Sequence, residues 1–172
     1  MAVLTIVEAP HPVLEKQAKV VEDAEFGLDL ESFLNDMAET MYAAPGVGLA
    51  APQVGDGRRI LVADPGNDEG KAKRKLYKMV NPKLIFKSKE SIYHEESCLS
   101  VPEFSLMVKR HKTIEVEWQD GFGKTHTERF SDFPAVVLQH EMDHLIGMTL
   151  LEKSSRFKRG RYLARRKKGN RK

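Results

Sequence analysis

The sequence has few of the features that mark extracellular or membrane proteins. Cys98 is its single cysteine, which excludes an internal disulfide and is typical of a reducing compartment. No apolar run approaches the roughly 18 residues of a membrane-spanning helix, so we expect no membrane partner. The start of the chain lacks a basic segment, and Pro10 and Pro12 follow it, which argues against a secretory signal. We therefore expect a cytoplasmic protein of bacterial type, or an organellar one if the chain is a processed form.

Acidic residues are absent from the end of the chain. Residues 153–172 contain 11 Lys or Arg and no acid, whereas the rest of the chain contains 17 basic and 25 acidic residues. The net charge of +3 therefore hides an acidic body and a basic end. At 172 residues with 41% hydrophobic side chains, the chain can bury a core of its own. We predict one folded domain over residues 1–152 and a basic C-terminal tail over residues 153–172.

The pattern of apolar residues predicts an α+β fold. Helical spacing indicates a first helix over residues 30–44 and a second over residues 134–147. Between them lie strand-like segments, and residues 120–123 predict the turn of a β-hairpin. The other predicted strands are residues 59–63, 76–80, 84–86, 113–118 and 124–130. We expect mostly antiparallel strands packed around the second helix, which is apolar on nearly all sides and therefore central and buried.

The second helix contains charged residues that a buried helix should not have. His140, Glu141 and His144 form a His-Glu-x-x-His motif, in which two histidines one turn apart bind a metal ion and the glutamate handles a proton. The alternative is a helix whose histidines only form hydrogen bonds and face the solvent. The apolar neighbours of the motif favour the metal site, because burial of unpaired charge is costly.

A catalytic metal site of this type needs a third protein ligand. Leu150 stands where one protease class has its third histidine, and Glu152, the last acid of the chain, is too close to His144 to return to the site. The ligand must therefore come from upstream, and Cys98 is the candidate, since a thiolate binds zinc or ferrous iron well. The alternative for a lone cysteine is a small buried apolar residue.

A glycine-rich segment follows the first helix. Gly46 and Gly48 permit close approach of a ligand to the backbone, and Gln53 offers an uncharged amide donor for a developing oxyanion. The alternative interpretation is a turn that ends the helix. No strand is predicted before this segment and a third glycine is missing, so it is not a nucleotide-binding fingerprint.

Three segments together resemble the peptide deformylase family. The family's approximate motifs Gly-x-Gly-x-Ala-Ala-x-Gln, Glu-Gly-Cys-Leu-Ser and Gln-His-Glu-x-x-His correspond to residues 46–53, 96–100 and 139–144, in the same order. The resemblance covers roughly residues 1–150. It implies a hydrolase that removes the N-formyl group from formylmethionyl nascent peptides and releases formate. It also implies one divalent metal ion, typically Fe²⁺, with Ni²⁺, Co²⁺ or Zn²⁺ as substitutes.

The resemblance also assigns roles to single residues. It implies a catalytic domain over residues 1–152 in which Glu141 carries the proton, while Gln53 and the backbone N–H of Leu99 stabilise the oxyanion. The implied metal ligands are Cys98, His140 and His144. The implied substrate contacts are Gly48 with the substrate backbone and Val47, Phe133, Val136 and Val137 with the methionine side chain. Glu96 and Arg110 match a structural ion pair. Ser97 replaces the usual glycine, and a positive φ there would add strain of about 1–2 kcal/mol.

Two other functions remain as alternatives at this point. A metal-dependent peptidase would share the metal chemistry, and a ribosome- or nucleic-acid-binding protein could use the metal for structure alone, although structural zinc normally has four protein ligands. We expect the basic tail either to remain solvated or to bind the ribosome, with a short helix forming on contact, and we expect no DNA partner. The histidines outside the motifs are expected to face solvent: His11, His94, His111 and His126.

Overall fold

The computed structural model describes residues 2–66 and 75–169 of the chain. Its helices are α1 (Leu28–Ala43), α2 (Phe133–His144), α3 (Leu150–Lys153) and α4 (Arg156–Gly169). Its strands are β1 (Gly48–Ala50), β2 (Ile60–Ala63), β3 (Tyr77–Lys87), β4 (Ser91–Cys98), β5 (Val101–His111), β6 (Thr113–Gln119) and β7 (Thr125–Ser131). Within these residues, no helix combines the length and the apolar character needed to cross a membrane.

The strands form two antiparallel sheets. One sheet has five strands in the order β1-β2-β3-β6-β7, and the other is the hairpin of β4 and β5. The predicted turn joins β6 to β7, because the Asp120 carboxylate accepts hydrogen bonds from the backbone N–H groups of Phe122 and Lys124. The predicted α+β fold with mostly antiparallel strands is confirmed.

The predicted strands at residues 76–80 and 84–86 are a single strand, β3. Its pairing with β6 shifts register between Val80 and Lys83, where Asn81 has a positive φ of 51°. The Asn81 side chain is held in place by Val21, whose backbone N–H donates to Asn81 Oδ1 at 2.8 Å and whose carbonyl accepts from Asn81 Nδ2 at 2.9 Å. The prediction of two strands was wrong because Asn-Pro indicates a turn locally, whereas tertiary hydrogen bonds make it a bulge.

Helix α1 brings the glycine-rich segment to the edge of the larger sheet. Its buried side chains pack against β1 and β2, among them Leu34, Met37 and Met41, each fully buried. The helix ends at Ala43, and the backbone N–H of Gly46 donates to the Met41 carbonyl at 2.9 Å. The chain therefore turns directly from α1 into β1, an edge strand of the sheet.

Helix α2 lies between the two sheets and packs against strands of both. Pro134 lies in its first turn, where a missing N–H costs nothing. Gly147 follows its end with φ of 74°, and a Cβ there would lie 2.6 Å from the Glu15 carbonyl oxygen, so only glycine fits. The prediction of a central buried helix is confirmed, with buried residues Ala135, Val136, Val137, Leu138, Glu141 and His144.

The basic end of the chain packs on the body as helix α4. Tyr162 is 2% exposed, its ring meets Phe104 edge to face at 5.5 Å, and its hydroxyl donates to the Pro102 carbonyl at 3.1 Å. Helix α3 already spans the predicted boundary between residues 152 and 153. The helix is therefore present without a partner, because buried aromatic contacts compensate for Gly160. Residues 170–172 lie outside the described residues, and the division at 152 remains a prediction about function.

Candidate metal centre

Cys98, His140 and His144 form a cluster with the composition and spacing of a metal site. One ligand atom from each residue lies within 4.8 Å of the others, and Cys98 Sγ is 3.4 Å from His144 Nε2. Cys98 is the last residue of β4, while α2 presents both histidines from successive turns. Cys98 and His144 are buried, and the His140 side chain is only 11% exposed. The two sequence motifs therefore meet where the β4–β5 hairpin packs on α2.

The donor atoms fit a divalent metal ion. His140 Nδ1 lies 2.8 Å from Glu96 Oε1, which fixes the tautomer with the proton on Nδ1 and leaves Nε2 free as a ligand. Burial lowers the pKa of His144 well below its ordinary value, so this ligand is neutral. A thiolate with two imidazoles is a donor set suited to ferrous iron, cobalt, nickel or zinc.

The charge on His140 responds to its neighbours in the metal-free protein. Burial lowers the pKa of this imidazole, but hydrogen bonds with Cys98 and Glu96 outweigh that effect, and the pKa lies well above its ordinary value. A metal ion that binds His140 Nε2 must therefore displace a proton from this imidazole.

An ion-pair network of Glu96, Arg110 and Asp143 contacts the centre at His140. Arg110 donates from Nε to Glu96 Oε2 at 2.7 Å and from Nη2 to Glu96 Oε1 at 2.8 Å, which is a bidentate pair. Its third nitrogen, Nη1, donates to Asp143 Oδ2 at 2.6 Å. Burial would raise the pKa of Glu96, but the hydrogen bonds from Arg110 and His140 lower it to about 2. The ion pair implied by the resemblance is present.

Glu141 is a buried carboxylate beside the cluster. It is 4% exposed, and its Oε2 has no hydrogen-bond partner among the described residues. Burial raises its pKa to about 7. Gly48 packs directly against it, since a Cβ on that glycine would lie 2.7 Å from Glu141 Cγ. A carboxyl group with this pKa can accept and return a proton near neutral pH.

Gln53 is held with its amide toward the cluster. The backbone N–H of Ala50 donates to Gln53 Oε1 at 2.9 Å, which directs the amide nitrogen toward the cluster. That nitrogen lies 3.6 Å from Cys98 Sγ and 3.2 Å from Ser100 Oγ. The residue lies in a short 3-10 helix that follows β1, so the glycine-rich segment is more than a turn that ends α1.

A cavity of about 350 Å³ opens onto the cluster. Its walls contain nearly every site residue named from the sequence: Val47, Gly48, Gln53, Cys98, Leu99, Phe133, Val136, Val137, His140 and Glu141. His144 is the exception, because it lies one helical turn deeper and is 1% exposed. Phe133, Val136 and Val137 form the apolar part of the wall contributed by α2, and the glycine-rich segment contributes another part of the lining.

Sequence reasoning missed several cavity residues, chiefly on β4. His94 lines the cavity, is only partly exposed, and packs against Phe133 with ring centroids 5.3 Å apart. The expectation that His94 faces solvent was wrong, because strand alternation places it on the same face as Glu96 and Cys98. His111 is also half-buried, with Nδ1 2.7 Å from the Ser88 carbonyl oxygen. The alternation of β4 could have identified His94 from the sequence.

Ser97 replaces the glycine of the family motif without strain in the backbone. It pairs with Ser105 across the β4–β5 hairpin and is not among the residues with positive φ. The irregularity in pairing falls between Ser97 and Cys98, where the strand turns toward α2. The side chain is exposed and lies at the cavity wall. The strain that a positive φ would have caused is therefore absent.

The chain is similar in sequence to known deformylases. The sequence profile of the family described as polypeptide deformylase matches residues 3–160. A peptide deformylase of Zymomonas mobilis subsp. mobilis is 45% identical over 162 residues, which cover 93% of this chain and 90% of the relative. One of Desulfotalea psychrophila is 44% identical over 168 residues, with 98% and 97% covered.

Solved structures show the same similarity in three dimensions. The crystal structure of an Ehrlichia chaffeensis peptide deformylase in complex with actinonin has a TM-score of 0.91 at 35% identity, with 100% of both chains covered. The Thermotoga maritima peptide deformylase has a TM-score of 0.81 at 37% identity, with 88% of this chain and 97% of that one covered.

Proposed function

The chain belongs to the polypeptide deformylase family, a family of hydrolases that remove the N-formyl group from nascent peptides, and on that premise we propose which residues perform the reaction. The proposal assigns Cys98, His140 and His144 as ligands of one divalent metal ion, most often Fe²⁺, with Ni²⁺, Co²⁺ or Zn²⁺ as substitutes. When bound, such an ion polarises a carbonyl oxygen and lowers the pKa of water. The single observation that supports the assignment most strongly is the meeting of three ligand atoms within 4.8 Å at the wall of a cavity.

Glu141 is the proton carrier in this proposal. Its buried carboxyl, with a pKa of about 7, takes a proton from the attacking water and delivers it to the nitrogen of the leaving amine. Gln53 Nε2 and the backbone N–H of Leu99 donate hydrogen bonds to the oxygen that becomes negatively charged. The fixed orientation of the Gln53 amide supports this role, because Ala50 already binds its other end.

The cavity fits the first residue of a formylated peptide. Val47, Phe133, Val136 and Val137 form an apolar wall for the methionine side chain, and Gly48 meets the substrate backbone at the edge of the sheet. Backbone N–H and C=O groups at such an edge can pair with an extended peptide. The substrate is therefore a formylmethionyl peptide with its second and later residues extending toward solvent.

Formate release distinguishes this function from that of a metal-dependent peptidase. The metal-loaded enzyme should release formate from formyl-Met-Ala-Ser and should leave the bond between Met and Ala intact, as measured by a formate assay and mass spectrometry. Cys98→Ala should lose both stoichiometric metal and formate release. Cleavage of the unformylated peptide, or full activity and metal content in Cys98→Ala, would contradict the assignment.

We also propose that the enzyme works in the cytoplasm and that α4 binds ribosomal RNA near the emerging chain. Much of the helix is covered with exposed basic side chains, while its Arg159 and Arg166 form ion pairs with acids of the body. The exposed basic residues are Arg156, Lys158, Arg161, Arg165, Lys167 and Lys168. A cleft of about 520 Å³ lies between this face and the start of β5.

Charge neutralisation on α4 tests ribosome binding without removing the helix. The test variant replaces four exposed residues by Gln: Lys158, Arg161, Arg165 and Lys168. We expect weaker binding to ribosomes and a salt dependence flattened by about 3.6 in the log–log slope if all four side chains contact phosphate, since each phosphate contact contributes about 0.9. The matched control replaces four exposed lysines elsewhere by Gln: Lys83, Lys87, Lys89 and Lys109. Equal binding by both variants would refute the role of α4.

A further inference from the structure

We propose that Asp143 and Lys153 are positioning residues for the metal centre, which act through Arg110 and Glu96 on His140. Five side chains contact one another in sequence, and basic groups alternate with acidic ones: Lys153, Asp143, Arg110, Glu96 and His140. Lys153 Nζ lies 3.1 Å from Asp143 Oδ2, Arg110 Nη1 donates to that same oxygen at 2.6 Å, and Arg110 also grips Glu96. Glu96 Oε1 in turn meets His140 Nδ1 at 2.8 Å.

The line of contacts runs from the protein surface to the proposed metal ligand. The exposed fraction of the side chain rises from 4% at Glu96 and Arg110 to 18% at Asp143 and 24% at Lys153. Arg110 lies at the middle and would otherwise be a buried cation with a single carboxylate. Two acids hold its guanidinium from two sides, which fixes the plane in which it grips Glu96.

The position of Asp143 in the helix also needs an explanation. It lies in the last turn of α2, where the negative end of the helix dipole disfavours an acidic side chain. Its partners compensate for this position, because two cations, Arg110 and Lys153, contact the same oxygen. Asp143 therefore stabilises the ion pairs with Arg110 and Lys153 rather than the end of α2.

The consequence for the metal is geometric. His140 can present Nε2 to a metal ion only in the ring orientation that its Nδ1–H contact with Glu96 fixes. If Asp143 or Lys153 is lost, Arg110 loses a restraint, and the Glu96 carboxylate and the His140 ring gain freedom. Lys153 is the first residue of the basic segment, so this segment contributes to the centre as well as to the surface.

Metal release from the loaded protein measures this effect directly. Protein loaded with Co²⁺ is mixed with excess chelator, and loss of the thiolate–cobalt absorption gives the release rate. We expect Asp143→Asn to speed release about 10-fold, the lower end for groups that orient metal ligands. Lys153→Met should speed release about 2- to 5-fold, as expected for a partly exposed ion pair, and Lys153→Arg should restore the wild-type rate.

A double variant separates positioning from a general loss of stability. In the Glu96→Gln background, Asp143→Asn should produce no further acceleration, because its effect passes through Glu96. Lys83→Met, a change in an exposed lysine of β3, serves as the control and should release cobalt at the wild-type rate. Thermal unfolding of each variant confirms that it is folded at the assay temperature, and the partly exposed Lys153 gives a variant that folds even if Asp143→Asn does not.

The inference rests on the metal assignment proposed above, and the two can fail separately. If the wild-type protein takes up no cobalt, the metal assignment is wrong. If it binds cobalt but Asp143→Asn and Lys153→Met release it at the wild-type rate, the positioning role alone is wrong. Multiplication of the two effects in the double variant would likewise refute transmission through Glu96.

Discussion

Helices α2 and α4 are both rich in polar residues, but α2 buries several of them whereas α4 exposes most of them to solvent. Helix α2 buries Glu141 and His144 and connects Asp143 to Arg110 and Lys153. Helix α4 buries one aromatic side chain, Tyr162, and leaves most of its cations in solvent. In α2, Asp143 is paired with two cations and Glu141 and His144 are shielded from water, whereas charge in α4 has mainly water around it.

This difference explains why one helix forms a reactive site and the other a surface. In α2 the low polarity of the surroundings moves pKa values strongly, upward for Glu141 and downward for His144, because water cannot stabilise the charged forms. The exposed cations of α4 remain available to an external partner. Burial, and not the number of charged residues, separates the two helices.

Helix α4 nevertheless shares a hydrophobic cluster with β4, the strand that ends at Cys98. Tyr162 of α4 and Cys98 of β4 belong to the same group of buried residues, together with Val101 at the start of β5. The turn that presents Cys98 is therefore packed from the outside by α4. We expect disturbances of α4 to affect stability first and the metal centre second.

The largest expected effect comes from the buried proton carrier in α2. Glu141→Ala should reduce kcat for formate release about 10²- to 10⁴-fold, equivalent to about 3–5 kcal/mol, because proton transfer to the leaving amine is lost. The metal content should remain stoichiometric by elemental analysis, since this carboxylate is not a proposed ligand. Lys167→Ala on α4 is the control with unchanged turnover. Near-normal turnover in Glu141→Ala would contradict its role.

Loss of the proposed oxyanion donor comes next. Gln53→Ala should lower kcat about 10²- to 10³-fold and leave the metal in place, because one hydrogen bond to the developing charge is removed. Gln53→Glu keeps the size of the side chain but replaces the donor by an acidic group, and it should be at least equally slow. If the affinity for substrate changes while kcat does not, Gln53 binds the ground state and is not an oxyanion donor.

Substitutions that disturb the packing of α4 should lower the free energy of unfolding rather than the catalytic rate. Tyr162→Ala should lower the free energy of unfolding by about 3 kcal/mol, because a fully packed ring is removed. Tyr162→Phe loses only the hydrogen bond to the Pro102 carbonyl and should cost about 1 kcal/mol. Denaturant unfolding measures both. Deletion of residues 153–172 should therefore destabilise the protein, and wild-type stability after deletion would show that α4 contributes nothing to the fold.

The smallest effect is the pH dependence due to Glu96. Its pKa is about 2 in the folded protein and 4.5 ordinarily, so its contribution is complete above pH 4.5 and is lost as the pH falls toward 2. Between pH 5 and 3 this group alone should lower the stability of the metal-free protein by about 2 kcal/mol. Glu96→Gln should lack that part of the slope in denaturant titrations. If the free energy of unfolding of the two proteins depends on pH in the same way, the folded protein does not stabilise the ionised form of Glu96.

The sequence motifs were sufficient to identify the three residues of the metal cluster, but not the ion pairs that hold His140 in place. His140, Glu141 and His144 follow from helical spacing, and Cys98 follows from the lack of any other third ligand downstream. The line from Glu96 to Lys153 could not be derived in the same way, because Asp143, Lys153 and Arg110 lie on three different elements and Asp143 contacts the other two. The resemblance supplied the pair of Glu96 and Arg110, but not its extension to the surface.

Local patterns failed where tertiary contacts override them. The local pattern predicted two strands separated at Asn81 and Pro82, but hydrogen bonds between Asn81 and Val21 make this point a bulge within β3. His94 was expected in solvent, because an isolated histidine has no periodic context, although the alternation of β4 places it in the cavity wall. The basic end of the chain was expected to be a solvated or contact-induced helix, and the buried ring of Tyr162 holds it on the body.

The sequence by itself determined the kind of fold, the central helix and the residue types of the centre, because these depend on periodicity and on the short motif spacings within single elements. Only the tertiary structure decided how the centre is completed. The approach of β4 to α2 brings Cys98 to the histidines, and burial there raises the pKa of Glu141. Such effects depend on distances between elements that are far apart in the chain, and hydrophobic packing of the whole domain sets those distances.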